Sequence, residues 1–132
     1  LCHKRGRTDN PFLLRVQSGH YLNKISELKP DKEARKIYEN LETLIIDEIS
    51  MVRAHLFDCV EAFLRKWGPS PKRPFGGVQM ILIDDLYQLP PVVTSGERKI
   101  FPLLYETCYF FSARSFRENP IEFIEFENPR VT

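Results

Sequence analysis

The spacing of apolar positions along the chain changes several times, and each change predicts an element. In "PDKEARKIYENL" (30–41), Ala34, Ile37, Tyr38 and Leu41 recur at three and four. That spacing predicts a helix with one apolar face, capped by Asp31 and ended near Asn40. "TLIID" (Thr43–Asp47) is a short apolar run that predicts a buried strand. From Val52 to Trp67 the period returns to that of a helix, carried by Leu56, Val60, Phe63, Leu64 and Trp67. "GPSPKRPFGG" (Gly68–Gly77) breaks it, and "VQMILID" (Val78–Asp84) predicts a second apolar strand. In "QLPPVV" the paired prolines must leave the ladder. "CYFFS" (Cys108–Ser112) and "IEFIEFE" (Ile121–Glu127) read as two further strands, with a short helix between strand-like segments.

Continuous apolar strands alternating with helices imply an α/β fold, a mostly parallel sheet flanked by helices on both faces. In such sheets chemistry gathers beyond the carboxyl ends of the strands. Asp47–Glu48 and Asp84–Asp85 fall at those ends. At 132 residues the chain is one domain or part of one.

Charge and cysteine content narrow the picture only slightly. A net charge of +1 gives no global field to steer a polyanion, so nucleic-acid binding would need a local basic stretch. Cys2, Cys59 and Cys108 are widely spaced and show no ligand spacing, which implies reduced thiols and no structural disulfide. No apolar run approaches a membrane span and no secretory leader is visible. A cytoplasmic protein is expected, and the absence of targeting suits a bacterial, nucleoid-associated one.

"LIIDEISMV" (44–52) places two carboxylates directly after four apolar residues. If the chain stays extended there, the two side chains point opposite ways and can serve two different atoms. In nucleotide hydrolysis one carboxylate holds Mg²⁺ and the next deprotonates the attacking water. Asp47 fits the first role and Glu48 the second. A strand that merely returns to solvent would also end in acid, with Ser50 as a helix cap and Met51 in the core. "ILIDDLYQLPPVV" (81–93) repeats the pattern and adds Gln88 on a proline-stiffened turn. Such an amide can touch a phosphate oxygen or orient a water without adding charge.

Together, "LIIDEISMV" and "DLYQLPPV" resemble motifs II and III of superfamily 1 DNA helicases, of the Pif-one and RecD-like branch. "YFFSARSF" (109–116) is similar to the segment that follows motif III there. The resemblance implies a RecA-like motor domain, with ATP and Mg²⁺ as cofactors. It implies Asp47 as the metal ligand, Glu48 as the water-activating base and Gln88 as the γ-phosphate sensor. Asp85 joins Asp47, Glu48 and Gln88 at the nucleotide. His3 in "LCHK" resembles the motif Ia histidine that lies beside DNA, and Lys4, Arg5 and Arg7 could add phosphate contacts.

Two departures stand out. Asp84 occupies a position where that family usually has glycine, and its charge would lie beside the phosphates. No GxxxxGK[ST] run is present, so residues 1–132 alone are not expected to turn over ATP. The resemblance makes residues 1–132 part of a first RecA-like motor domain, with the phosphate-binding loop upstream and the second motor domain downstream. It implies a helicase that couples ATP hydrolysis to movement along single-stranded DNA or into a forked duplex. Two other classes fit the same strand ends: a P-loop ATPase that remodels proteins, and a RecA-like binding domain without activity.

Overall fold

The computed structural model describes residues 28–84, 91–93 and 101–125. Helix α1 (Lys32–Glu39) begins where Asp31 accepts a hydrogen bond from the Ala34 amide at 2.8 Å. Asn40 closes it by donating its side-chain amide to the Lys36 carbonyl. Both caps are those expected from the sequence. Tyr38 sits edge-on to Phe63, but Ile37 is 65% exposed and does not join the packed face.

Strands β1 (Thr43–Ile46) and β2 (Gln79–Leu82) pair in parallel, with Ile46 opposite Leu82. The pairing extends one step further through the Ile83 amide, which donates to the Ile46 carbonyl at 2.9 Å. Leu44, Ile46, Met80 and Leu82 face the core. Ile45, Ile81 and Ile83 are exposed on the opposite face, so among the described residues this pair is covered on one side.

Helix α2 (Ala54–Trp67) is the center of the fold. One side sends Phe57, Val60 and Leu64 into the core beneath the strands, with Ile49, Phe75, Val78 and Phe110. The other side sends Leu56, Cys59 and Phe63 toward Tyr38 and Leu28. The helix is therefore apolar over more of its circumference than a surface helix. Phe57 is fully buried and meets the rings of Phe75, Phe110 and Phe116 edge-on. Burying such a side chain contributes about 1.5–3 kcal/mol.

The breaker run folds back on the end of α2. The Gly68 amide donates to the Leu64 carbonyl at 2.7 Å, and a 3₁₀ turn (Pro74–Gly77) buries Phe75. Gly76 has φ +64°, and a Cβ there would collide with the Leu64 carbonyl. Only glycine meets both constraints.

Two expected strands do not form among the described residues. Phe110–Ser112 forms a 3₁₀ turn, and only Tyr109 bridges to Arg53, as an isolated antiparallel pair. The turn is what drives Phe110 into the core while Phe111 stays exposed. Residues 121–125 have no regular structure and all are exposed. With no described strand beside them, their alternating residues have no ladder to join. Short helices α3 (Phe101–Leu104) and α4 (Arg114–Glu118) complete the described elements.

One buried carboxylate ties the C-terminal part to α2. Asp58, 6% exposed, accepts from the Tyr105 hydroxyl (2.9 Å), the Ser115 amide (2.9 Å) and the Ser115 hydroxyl (2.7 Å). It also takes the Arg114 amide at 3.3 Å. Asp58 thus satisfies the first amides of α4 from another helix. Replacing it with alanine removes the acceptor of the Tyr105 hydroxyl and of the Ser115 amide and hydroxyl from the interior. Asp58→Ala is expected to lower stability by about 2–4 kcal/mol, and Asp58→Asn by less. Denaturant unfolding of both variants checks the order.

The neighbouring thiol sets a pH limit. Burial, and then the Asp58 carboxylate beside it, pushes Cys59 up to about 12. The same two causes, in the same order, raise the Tyr105 hydroxyl. An unfolded cysteine ionises near pH ~8.5, so above that pH the unfolded chain releases a proton that the folded one keeps. Stability is therefore complete below about pH 8.5 and falls as pH rises toward 12, by at most about 1.4 kcal/mol per unit for the thiol. Denaturation midpoints at pH 8 and pH 10, compared with those of Cys59→Ala, isolate that contribution.

Candidate functional site

At the end of β1 the backbone turns sharply. Asp47 Oδ1 accepts from the Glu48 amide at 3.0 Å, and Glu48 itself is left-handed, with φ 54° and ψ 48°. The Ile49 amide then donates to the Ile83 carbonyl at 3.1 Å, and a 3₁₀ turn (Ile49–Met51) leads into α2. Ile49 is 1% and Ser50 4% exposed, while Asp47 and Glu48 both remain exposed.

This differs from the extended arrangement expected from the sequence. Ile46 faces the core, so a chain that stayed extended would aim Glu48 at the core as well. The left-handed residue prevents that. It lets two adjacent carboxylates stay in solvent at the mouth of the strand, at a backbone cost of about 1–2 kcal/mol for a non-glycine residue. The alternative roles for the next two residues do not hold. Ser50 makes no side-chain cap and is buried in the turn, and Met51 is 49% exposed.

Asp84 also departs from expectation. Its Oδ1 accepts from the Ser50 amide at 3.2 Å, so at least half of the carboxylate is engaged with the turn and not offered to a phosphate. Its Oδ2 and the Ser50 hydroxyl oxygen are buried with no hydrogen-bond partner among the described residues. The period of β2 contained this signal. Met80 and Leu82 face the core, and Asp84 continues the same alternation. Read as the first of two acids, it passed for a second phosphate-side charge.

Among the described residues no group of three or more His, Cys, Asp or Glu side chains could by itself cage a metal ion. Mg²⁺ does not need such a cage, because it takes one or two carboxylates and completes its shell with water and phosphate. Asp47 fits that demand: it is exposed, and the Glu48 amide orients one of its oxygens. Asp85, Gln88, His3, Lys4, Arg5 and Arg7 lie outside the described residues. Cys59 and Cys108 carry free thiols. No helix among the described residues is long and apolar enough to cross a membrane.

Parallel strands that deliver acids at one edge, with an exposed carboxylate pair on a fixed turn, form part of an α/β domain, and its solved structural neighbours are helicases with RecA-like domains. The comparisons are narrower. The PIF1-like helicase family model matches residues 2–109. The ATP-dependent DNA helicase PIF1 of Danio rerio is 37% identical over 117 residues, which are 89% of this chain and 17% of that protein. A crystal structure of Bacteroides Pif1 helicase with ADP-AlF3 and single-stranded DNA is similar at TM-score 0.60 and 38% identity, covering 67% of this chain and 20% of that one. A structure of Pif1 helicase described for unwinding at forked duplex DNA gives TM-score 0.61 and 30% identity, covering 78% and 28%. The chain belongs to the PIF1-like helicase family. It spans about one sixth of the length of the curated relatives it matches. Those relatives are from animals and fungi, so the expected bacterial origin gains no support from them.

The strain at Glu48 is open to test without any activity. Glu48→Gly and Glu48→Ala both delete the carboxylate, but only glycine accepts the left-handed backbone freely. Glu48→Gly is expected to be the more stable of the two by about 1 kcal/mol. Equal unfolding midpoints would contradict the left-handed turn.

Proposed function

We propose that this chain is part of an ATP-dependent DNA helicase that couples Mg-ATP hydrolysis to movement along single-stranded DNA. The observation that carries this reading is the exposed Asp47–Glu48 pair, held at the end of β1 by a left-handed turn. Its support from outside the site is the family, whose named relatives are ATP-dependent DNA helicases. Residues 1–132 form a portion of the first RecA-like motor domain, and the phosphate-binding loop and second motor domain belong to other parts of the intact protein.

In this reading Asp47 holds the Mg²⁺ of Mg-ATP, directly or through water. When bound, the ion would supply positive charge that offsets the negative charge of the phosphates. Glu48 orients the attacking water and takes its proton, which requires a carboxylate that is exposed yet fixed in direction. The turn provides the exposure and fixes the backbone from which the side chain leaves. Asp85 and Gln88 belong at the same nucleotide, Gln88 sensing the γ-phosphate and relaying its state to the DNA groove. His3, Lys4, Arg5 and Arg7 line the DNA path, where the cations need only reach phosphates. The substrates are single-stranded DNA and forked duplex.

ATPase activity of the intact protein, with and without single-stranded DNA, tests this reading. DNA-stimulated turnover supports it. Turnover indifferent to DNA would indicate another kind of P-loop ATPase, and none at all a binding domain. Glu48→Gln is expected to lower DNA-stimulated turnover by about 10²-fold or more while ATP and DNA affinities stay within about twofold. Full turnover in that variant would remove Glu48 from its role.

A further inference from the structure

Glu48 is aimed by the residues that follow it, and those residues are anchored unusually. After the left-handed turn, two successive amides are tied to the end of β2. The Ile49 amide donates to a backbone carbonyl, that of Ile83, at 3.1 Å. The Ser50 amide donates to a side chain, Asp84 Oδ1, at 3.2 Å across 34 residues of sequence. A backbone anchor survives most substitutions, whereas the second exists only because residue 84 carries an acceptor.

The anchor also has a cost. Asp84 Oδ2 and the Ser50 hydroxyl oxygen are buried, and neither has a partner among the described residues. A buried polar atom left unpaired costs about 1–3 kcal/mol. A small apolar residue at position 84 would avoid that cost for the carboxylate, but would leave the Ser50 amide without an acceptor. The arrangement therefore spends stability to hold one amide, and that amide lies two residues from the exposed Glu48 carboxylate.

We propose that Asp84 is a positioning residue for hydrolysis: its carboxylate clamps the Ser50 amide and so holds the left-handed turn that aims Glu48. The inference rests on the role given to Glu48 under the helicase reading. It concerns geometry at the base, not affinity for the nucleotide. Without the clamp only the Ile49 amide still ties the turn to β2, and Glu48 leaves its strained conformation more readily. Misplacement of a catalytic group by about 1 Å lowers turnover by as much as about 10²-fold. The consequence belongs in kcat, because one Asp84 oxygen is held by the Ser50 amide and the other is buried, away from the exposed acids.

The test is DNA-stimulated steady-state ATPase of the intact protein carrying Asp84→Ala or Asp84→Asn, together with amide hydrogen exchange at Ser50. Asparagine keeps the Oδ1 acceptor and alanine does not. The expected result is a fall in kcat of about tenfold or more for Asp84→Ala, with KM for Mg-ATP within about twofold. Asp84→Asn should retain kcat within about threefold. Protection of the Ser50 amide should be lost in the alanine variant and kept in the asparagine one. Asp84→Ala with unchanged kcat overturns the positioning role, and so does Asp84→Asn falling as far as Asp84→Ala. A parallel loss of kcat and of nucleotide affinity, with global loss of exchange protection, overturns it in favour of a merely structural role. Intact, unsubstituted protein without DNA-stimulated ATPase overturns the helicase reading itself, and the role of Asp84 with it.

Discussion

Everything at the site depends on two strands pairing in parallel in one register. With Ile46 opposite Leu82, both strands end at the same edge, and both are followed there by acid. A shift by one residue would reverse every side chain on the shifted strand. Ile83 would then turn inward, and Asp84 would lose its place beside Ser50. The register is secured by the apolar face of four residues against α2 and by the Ile83–Ile46 and Ile49–Ile83 hydrogen bonds beyond it. The chemistry is thus a consequence of hydrophobic packing some residues away.

Below that edge, the fold is organised around α2. Its two apolar sides divide the interior into a larger cluster under the strands and a smaller one under α1. Asp58 interrupts this apolar helix without weakening it, because four donors from the C-terminal segment converge on its carboxylate. Burial first, and then the same carboxylate, raises its neighbours Cys59 and Tyr105. A single buried carboxylate therefore docks α4 and adds to the effect of burial on two side chains around it. At the site the opposite choice is made, and Asp47 and Glu48 stay in solvent at a turn where Glu48 takes a left-handed conformation that its own side chain disfavours.

Much of this was legible in the residues. The helix caps at Asp31 and Asn40, the parallel pair and the acids at its end all follow from period and turn chemistry. The strand ends carried the family resemblance through the adjacent acids Asp47 and Glu48. What could not be read was set by tertiary contact. Glu48 is left-handed where the next two amides, those of Ile49 and Ser50, find acceptors at the end of β2, partners distant in sequence. "CYFFS" has the composition of a strand, yet Phe110 finds its place against Phe57 by turning into a 3₁₀ helix. No motif or spacing in the sequence marks Asp58, and only three-dimensional structure shows the donors around it. Asp84 was the near miss: the alternation of β2 already pointed it inward.

The buried thiol of Cys59 gives the molecule an internal clock. A cysteine reacts as the thiolate, and this one is fully buried with its acidity suppressed. At neutral pH an alkylating reagent reaches it only during excursions in which α2 parts from its neighbours. Cys108, half-buried outside that helix, has no such requirement. The ratio of the two labelling rates therefore measures how often the centre of the domain opens. Should nucleotide or DNA brace α2 in the intact protein, the slower rate would fall while the faster one held steady.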